Sequence, residues 1–101
     1  MDSRLTIEAL LVYDVNTTDP AGARRLRQVA KKCEGLGRRV QKSVFEMRSS
    51  EAQLVTLLTD LARIVDPADS IRVYRLERGT FDRVLEIGSR TDPPTKGAVI
   101  V

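Results

Sequence analysis

The sequence predicts an α+β domain of the split βαβ type, with two helices laid on one face of a sheet. Three observations carry this expectation. A clean alternation runs from Leu5 to Val15, two apolar stripes at helical spacing follow Asp19 and Ser50, and β-rich segments lie between and after those stripes.

In the first segment Leu5, Ile7, Ala9, Leu11, Tyr13 and Val15 share one face, which is expected to be core. The other face carries Thr6, Glu8, Leu10, Val12 and Asp14; it begins polar and turns apolar, which points to a partner in place of water. Asn16-Thr17-Thr18-Asp19-Pro20 then reads as a turn and a helix start, because Asp19 can cap free amides and Pro20 suits the first helical position. The helix is expected to reach about Glu34, its stripe formed by Leu26, Val29, Ala30 and Cys33, with Gly35 closing it in the left-handed conformation.

Arg38 to Met47, rich in Val40, Val44 and Phe45, is read as a second strand. Ser50 and Gln53 make a capping box for the second helix, striped by Leu54, Leu57, Leu58, Leu61 and Val65 and stopped by Asp66-Pro67. Ile71 to Leu76 is a third strand, Arg78-Gly79 a turn, and Phe81 to Ile87 a fourth strand. Thr91-Asp92-Pro93-Pro94 is a stiff arm ending in the apolar Ala98-Val99-Ile100-Val101. The whole is read as the strand-helix-strand-strand-helix-strand order of a ferredoxin-like domain over residues 1–90, followed by an arm and strand over 91–101 that joins a second copy. Leu10, Val12 and Phe45 are expected to lie on the sheet face away from the helices.

Composition narrows the function. The 101 residues are enough for one domain, and a hydrophobic content of 42% with only 4% aromatic describes an aliphatic core. The longest apolar run, Ala9 to Val12, is far short of the ~20 residues that cross a bilayer. Met1-Asp2-Ser3-Arg4 lacks a signal-peptide pattern, and a lone Cys33 allows no internal disulfide, so the cytoplasm is the expected compartment. With no histidine, Ser-His-Asp and Cys-His chemistry is ruled out; zinc-type Cys-x-x-Cys pairs and a phosphate loop are missing too. Any catalysis has to come from carboxylates, a metal ion, or both.

The net charge is only +3, but it is unevenly spread. Arg24, Arg25, Arg27, Lys31, Lys32, Arg38, Arg39 and Lys42 crowd one stretch in which Glu34 is the only acid. Such a run is either a solvated helix face or a phosphate-binding surface, and arginine's planar fork suits phosphate. Asp14, ending the first strand beside Tyr13, is either a turn-former capping the Asn16 loop or a metal-ligating carboxylate. Magnesium needs only one or two protein carboxylates, and two copies of Asp14 across a two-fold axis supply a pair. Cys33 reads as core packing, and Ser43 as an ordinary strand serine.

These residues carry a resemblance over nearly the whole chain to a family of small CRISPR-associated adaptation proteins, Cas-two. It rests on Tyr13-Asp14-Val15-Asn16-Thr17, Pro20-Ala21-Gly22, Arg24-Arg25-Leu26-Arg27 and Val29-Ala30-Lys31-Lys32-Cys33-Glu34. It continues through Gly37 to Glu46, with Gln41-Lys42-Ser43-Val44-Phe45-Glu46 the most specific block, and Asp69-Ser70-Ile71-Arg72-Val73-Tyr74. The resemblance implies a ferredoxin-like homodimer with facing sheets, whose Asp14 binds a divalent metal, Mg2+ or Mn2+, and is required for endonuclease activity on RNA or DNA. It further implies that Tyr13, Arg25, Arg27, Arg39 and Phe45 handle the nucleic acid, and that the protein bridges the Cas-one integrase in acquiring spacer DNA. Two other functions stand beside the metal-dependent nuclease. One is a non-catalytic adaptor on the DNA backbone; the other, independent of the resemblance, is a small-molecule-sensing module on the same fold.

Overall fold

Every second residue of the first strand is apolar, and the structure buries that face. The computed structural model describes residues 6–88. It contains β1 (Thr6–Asp14), α1 (Pro20–Glu34), β2 (Gly37–Gln41), β3 (Val44–Ser50), α2 (Glu51–Ile64), β4 (Ser70–Leu76) and a short 3₁₀ turn at Thr80–Arg83. The sheet runs β2-β3-β1-β4 with all neighbours antiparallel. Ala9, Leu11, Tyr13 and Val15 join Phe45 and Met47 of β3 against Val29, Ala30 and Cys33 of α1 and Leu57 and Leu61 of α2. This is the expected ferredoxin-like α+β order. Leu5 and the expected arm and strand over 91–101 lie outside the described residues.

The helix starts follow from local chemistry. Asp19 is extended and its carboxylate accepts from the Gly22 amide at 2.8 Å, with Pro20 opening α1. Gly22 has a second reason: a Cβ there would lie 1.9 Å from the Asn16 carbonyl oxygen, so only glycine lets α1 pass against the loop after β1. At α2 the capping box is complete, with Ser50 Oγ accepting from the Gln53 amide at 3.1 Å and Gln53 Oε1 from the Ser50 amide at 2.9 Å.

Four expectations are corrected. Residues 38–47 are not one strand: β2 and β3 form a hairpin turning at Lys42-Ser43, with an irregularity between Arg39 and Gln41. Residues 81–87 are not a strand. The Thr80–Arg83 turn diverts the chain because the Glu8 carboxylate captures the amides of Gly79 at 3.0 Å and Phe81 at 2.9 Å. The strand-helix-strand-strand-helix-strand order therefore arises from the hairpin. Gly35 closes α1 in the right-handed region, φ −70°, since its N–H reaches the Lys32 carbonyl and the Leu36 N–H the Cys33 carbonyl without a reversal. Finally, Phe45 pairs with Leu11 and is fully buried on the helix side of the sheet, because the hairpin sets its phase.

The face away from the helices carries Leu10, Val12 and Val44, all half-buried, and the exposed Tyr74 among Arg38, Glu46, Arg48 and Arg72. One end of it is covered by Phe81, which is buried beneath the Arg48 guanidinium at 5.6 Å from the ring centre. Burial pushes the Glu46 carboxyl above its ordinary range, against the pull of Arg38 and Arg48. The other end, where β1 stops at Asp14, is exposed. No helix among the described residues is long and apolar enough to cross a membrane.

Candidate metal and nucleic-acid site

Asp14 closes β1 opposite Ser70 of β4, and its side chain is exposed. The loop that follows is tied down without it. Asn16 Oδ1 accepts from the Thr18 amide at 3.0 Å, and the Asn16 amide donates to Asp69 Oδ1 at 2.9 Å. The turn-capping work open to Asp14 is thus done by Asn16 and Asp69, and Asp14 has no hydrogen-bond or ion-pair partner among the described residues. It is an uncommitted carboxylate at the open end of the sheet.

On the β3 side, Tyr13 is buried in the core and stacks on Phe45, ring centres 6.1 Å apart. The Tyr13 hydroxyl donates to the Lys42 carbonyl at 3.3 Å and accepts from Arg39 Nη2 at 3.2 Å. Arg39 also lies 5.4 Å over the Phe45 ring. Tyr13 and Phe45 are therefore core residues whose contribution at the surface is to fix Arg39 and the Lys42 turn on the helix side of the sheet.

On the β4 side, the Asp69 carboxylate is completely buried and accepts from Arg25 Nε at 2.9 Å and the amides of Asn16 and Asp66, each at 2.9 Å. The Arg25 guanidinium, first among these donors, holds the Asp69 carboxyl down at about 2. Arg25 is only 19% exposed, so it serves as a clamp between the loops after β1 and α2. Arg27 stands apart, exposed on α1 and touching none of the other sites named here. Of the remaining basic run, Lys32 pairs with Asp60 at 3.6 Å. Arg24, Arg27, Lys31, Arg38, Arg39 and Lys42 are in no ion pair with the described residues. The structure thus groups Tyr13, Arg39 and Phe45 on the helix side of the sheet and sets Asp14 at the same strand end on the opposite face. It ties Arg25 to the adjoining loop through Asp69 and leaves Arg27 as a separate surface charge.

No group of three or more metal-binding side chains exists among the described residues. The donor set available is one exposed carboxylate per chain, which fits a hard cation that keeps most of its waters. It does not fit a closed structural metal cage.

The sequence profile of the family described as CRISPR associated protein Cas2 matches residues 8–84. The chain belongs to the Cas2 family. It is 46% identical over 93 residues to the CRISPR-associated endoribonuclease Cas2 3 of Rhodospirillum rubrum, covering 91% of this chain and 98% of that one. It is 43% identical over 82 residues to the CRISPR-associated endonuclease Cas2 of Halalkalibacterium halodurans, covering 80% and 85%. The crystal structure of Streptococcus pyogenes Cas2 superposes with a TM-score of 0.72 at 46% identity, covering 80% of this chain and 99% of that one. Two residues near this strand end, Asp69 and Arg72, were not among the expected site residues. The spacing Ser70, Arg72, Tyr74 on a strand already set Arg72 on one face, but only pairing with β1 shows that this is the face of Asp14.

Proposed function

We propose that this Cas2 protein is a homodimeric endonuclease, dependent on Mg2+ or Mn2+, that hydrolyses phosphodiester bonds in RNA or DNA. Its place is the cytoplasm, where it acts with the Cas-one integrase in acquiring spacer DNA. The observation that carries the reading is that the exposed Asp14 carboxylate has no hydrogen-bond or ion-pair partner among the described residues, whereas Asp19 and Asp69 beside this strand end are held by backbone amides and Arg25. The names of the relatives, endoribonuclease and endonuclease, support it.

The chain's own residues divide the work. Asp14, with its copy across a two-fold axis, holds the cation. Arg39 and Lys42 at the hairpin tip and Arg27 on α1 bind backbone phosphates without regard to sequence. Tyr13 and Phe45 keep Arg39 from swinging away. The bound cation supplies an activated water and offsets charge on the scissile phosphate. In such a hydrolysis a water oxygen would bond to phosphorus and the P–O bond to the leaving sugar oxygen would break. That oxygen would take up a proton to leave as a hydroxyl, the other fragment keeping a phosphate monoester. The adaptor reading rests on the same unpaired basic side chains and dispenses with Asp14.

Asp14→Asn decides between them. The variant should fold and melt as the parent does, since the Asp14 side chain makes no hydrogen bond or ion pair with the described residues. It should still bind labelled RNA or duplex DNA, yet lose Mn2+ binding by calorimetry. Mg2+-dependent cleavage should fall by at least about 100-fold, the upper end of what loss of a metal's outer partner costs. Undiminished cleavage by the purified variant would leave the adaptor.

A further inference from the structure

We propose that Arg72 is a second phosphate-binding group of the Asp14 site, held ready by Tyr74, and that its ligand is the backbone phosphate of a nucleic acid. This rests on the reading of Asp14 as the cation-binding carboxylate of a nuclease. Register places Asp14 opposite Ser70 and Val12 opposite Arg72, so Arg72 is the diagonal neighbour of Asp14 on the same open face. Such diagonal pairs lie roughly 7–8 Å apart, within reach of a long side chain.

The guanidinium is already oriented. Arg72 Nε donates to the Tyr74 hydroxyl at 2.8 Å, and the group lies 5.4 Å from that ring's centre. Only the Nε–H is consumed, leaving the two Nη groups as a free planar fork that matches phosphate. On β3 and β4 the other arginines are committed, Arg48 to Asp82 and Glu8 and Arg75 to Glu51, and Arg25 of α1 is held by Asp69. Arg38 and Arg39, also without an ion pair to the described residues, lie on β2, two strands away from β1. Arg72 pairs with no carboxylate among the described residues. A preorganised, unneutralised fork beside an unneutralised carboxylate is what a site for a metal-bridged phosphate requires, one group for the cation and one for the anion.

The test titrates the full-length protein with a short fluorescein-labelled DNA duplex in EDTA over a range of salt. Arg72→Ala should weaken binding and flatten the log–log salt slope by about 1 per lost contact. Arg72→Lys should keep the slope with weaker affinity, because lysine meets phosphate only as a point charge. Tyr74→Phe should also keep the slope but weaken binding by less than Arg72→Ala. Mn2+ affinity, measured with the metal alone, should be undiminished in Arg72→Ala. The proposal is overturned if Arg72→Ala binds the duplex as the parent does at every salt, or if the parent shows no salt-sensitive binding. It is equally overturned if the variant sediments as a monomer where the parent is a dimer, which would make Arg72 a subunit tie. A parent that binds no Mn2+ sinks the nuclease reading alone, since the slopes in EDTA still report on Arg72.

Discussion

Arg25 and Arg27 sit two residues apart on one helix and do different things, which a count of basic residues does not reveal. Arg25 is spent on the buried Asp69 carboxylate, whereas Arg27 faces solvent. Removing one partner of a buried ion pair strands the other, so Asp69→Asn should lower the melting temperature by roughly 10 °C. Arg25→Ala should lower it too. Arg27→Ala should change stability by less than about 0.5 kcal/mol while flattening the salt slope of nucleic-acid binding. The pH response has a definite sign. The Asp69 carboxyl titrates at about 2 in the folded chain against an ordinary 3.8, so between these values the unfolded chain binds more protons. The stabilisation is present above pH 3.8 and drains away as pH falls through about 2. Acid titration of melting temperature should show this loss in the parent and a flatter profile in Asp69→Asn.

Among the elements, those whose signals are local were legible in the sequence. Asp19-Pro20 and Ser50 with Gln53 fix the starts of α1 and α2 through side chains a few residues away. Ser50 both ends β3 and caps α2, joining strand to helix with no loop between them. Ser50→Ala should therefore cost about 1 kcal/mol, a fall of roughly 4–8 °C by circular dichroism. What was not legible depends on distant contacts or on a turn whose only turn-forming residue is Ser43. Lys42-Ser43 offers no Gly, Asn or Pro, and Val40, Val44 and Phe45 continue the β pattern straight through it. The chain after Gly79 alternates like a strand, but Glu8, more than seventy residues earlier, captures its amides. The site divides the same way. Asp14 and the basic run could be named from sequence, whereas the clamp of Arg25 on Asp69 and the pairing of Arg72 with the Asp14 face appear only when β1 and β4 are side by side.

At the scale of the whole molecule, the two sheet faces differ in kind: one is sealed by helices, the other is partly apolar and, among the described residues, covered at one end by Phe81. Leu10, Val12 and Val44 on that face, with the desolvated Glu46 beside them, are the features on which a homodimer would rest. Val12→Glu should shift the sedimentation mass from dimer to monomer at micromolar concentration while leaving secondary structure intact. Cys33 gives the molecule something further. It is the only thiol in the chain, fully buried where α1 meets the core, and burial pushes it up to about 11. A thiol-specific dye can therefore reach it only in molecules whose first helix has lifted away. The chain carries its own stopwatch for opening: the rate of dye uptake counts excursions from the native state, one helix at a time, with no label added by design.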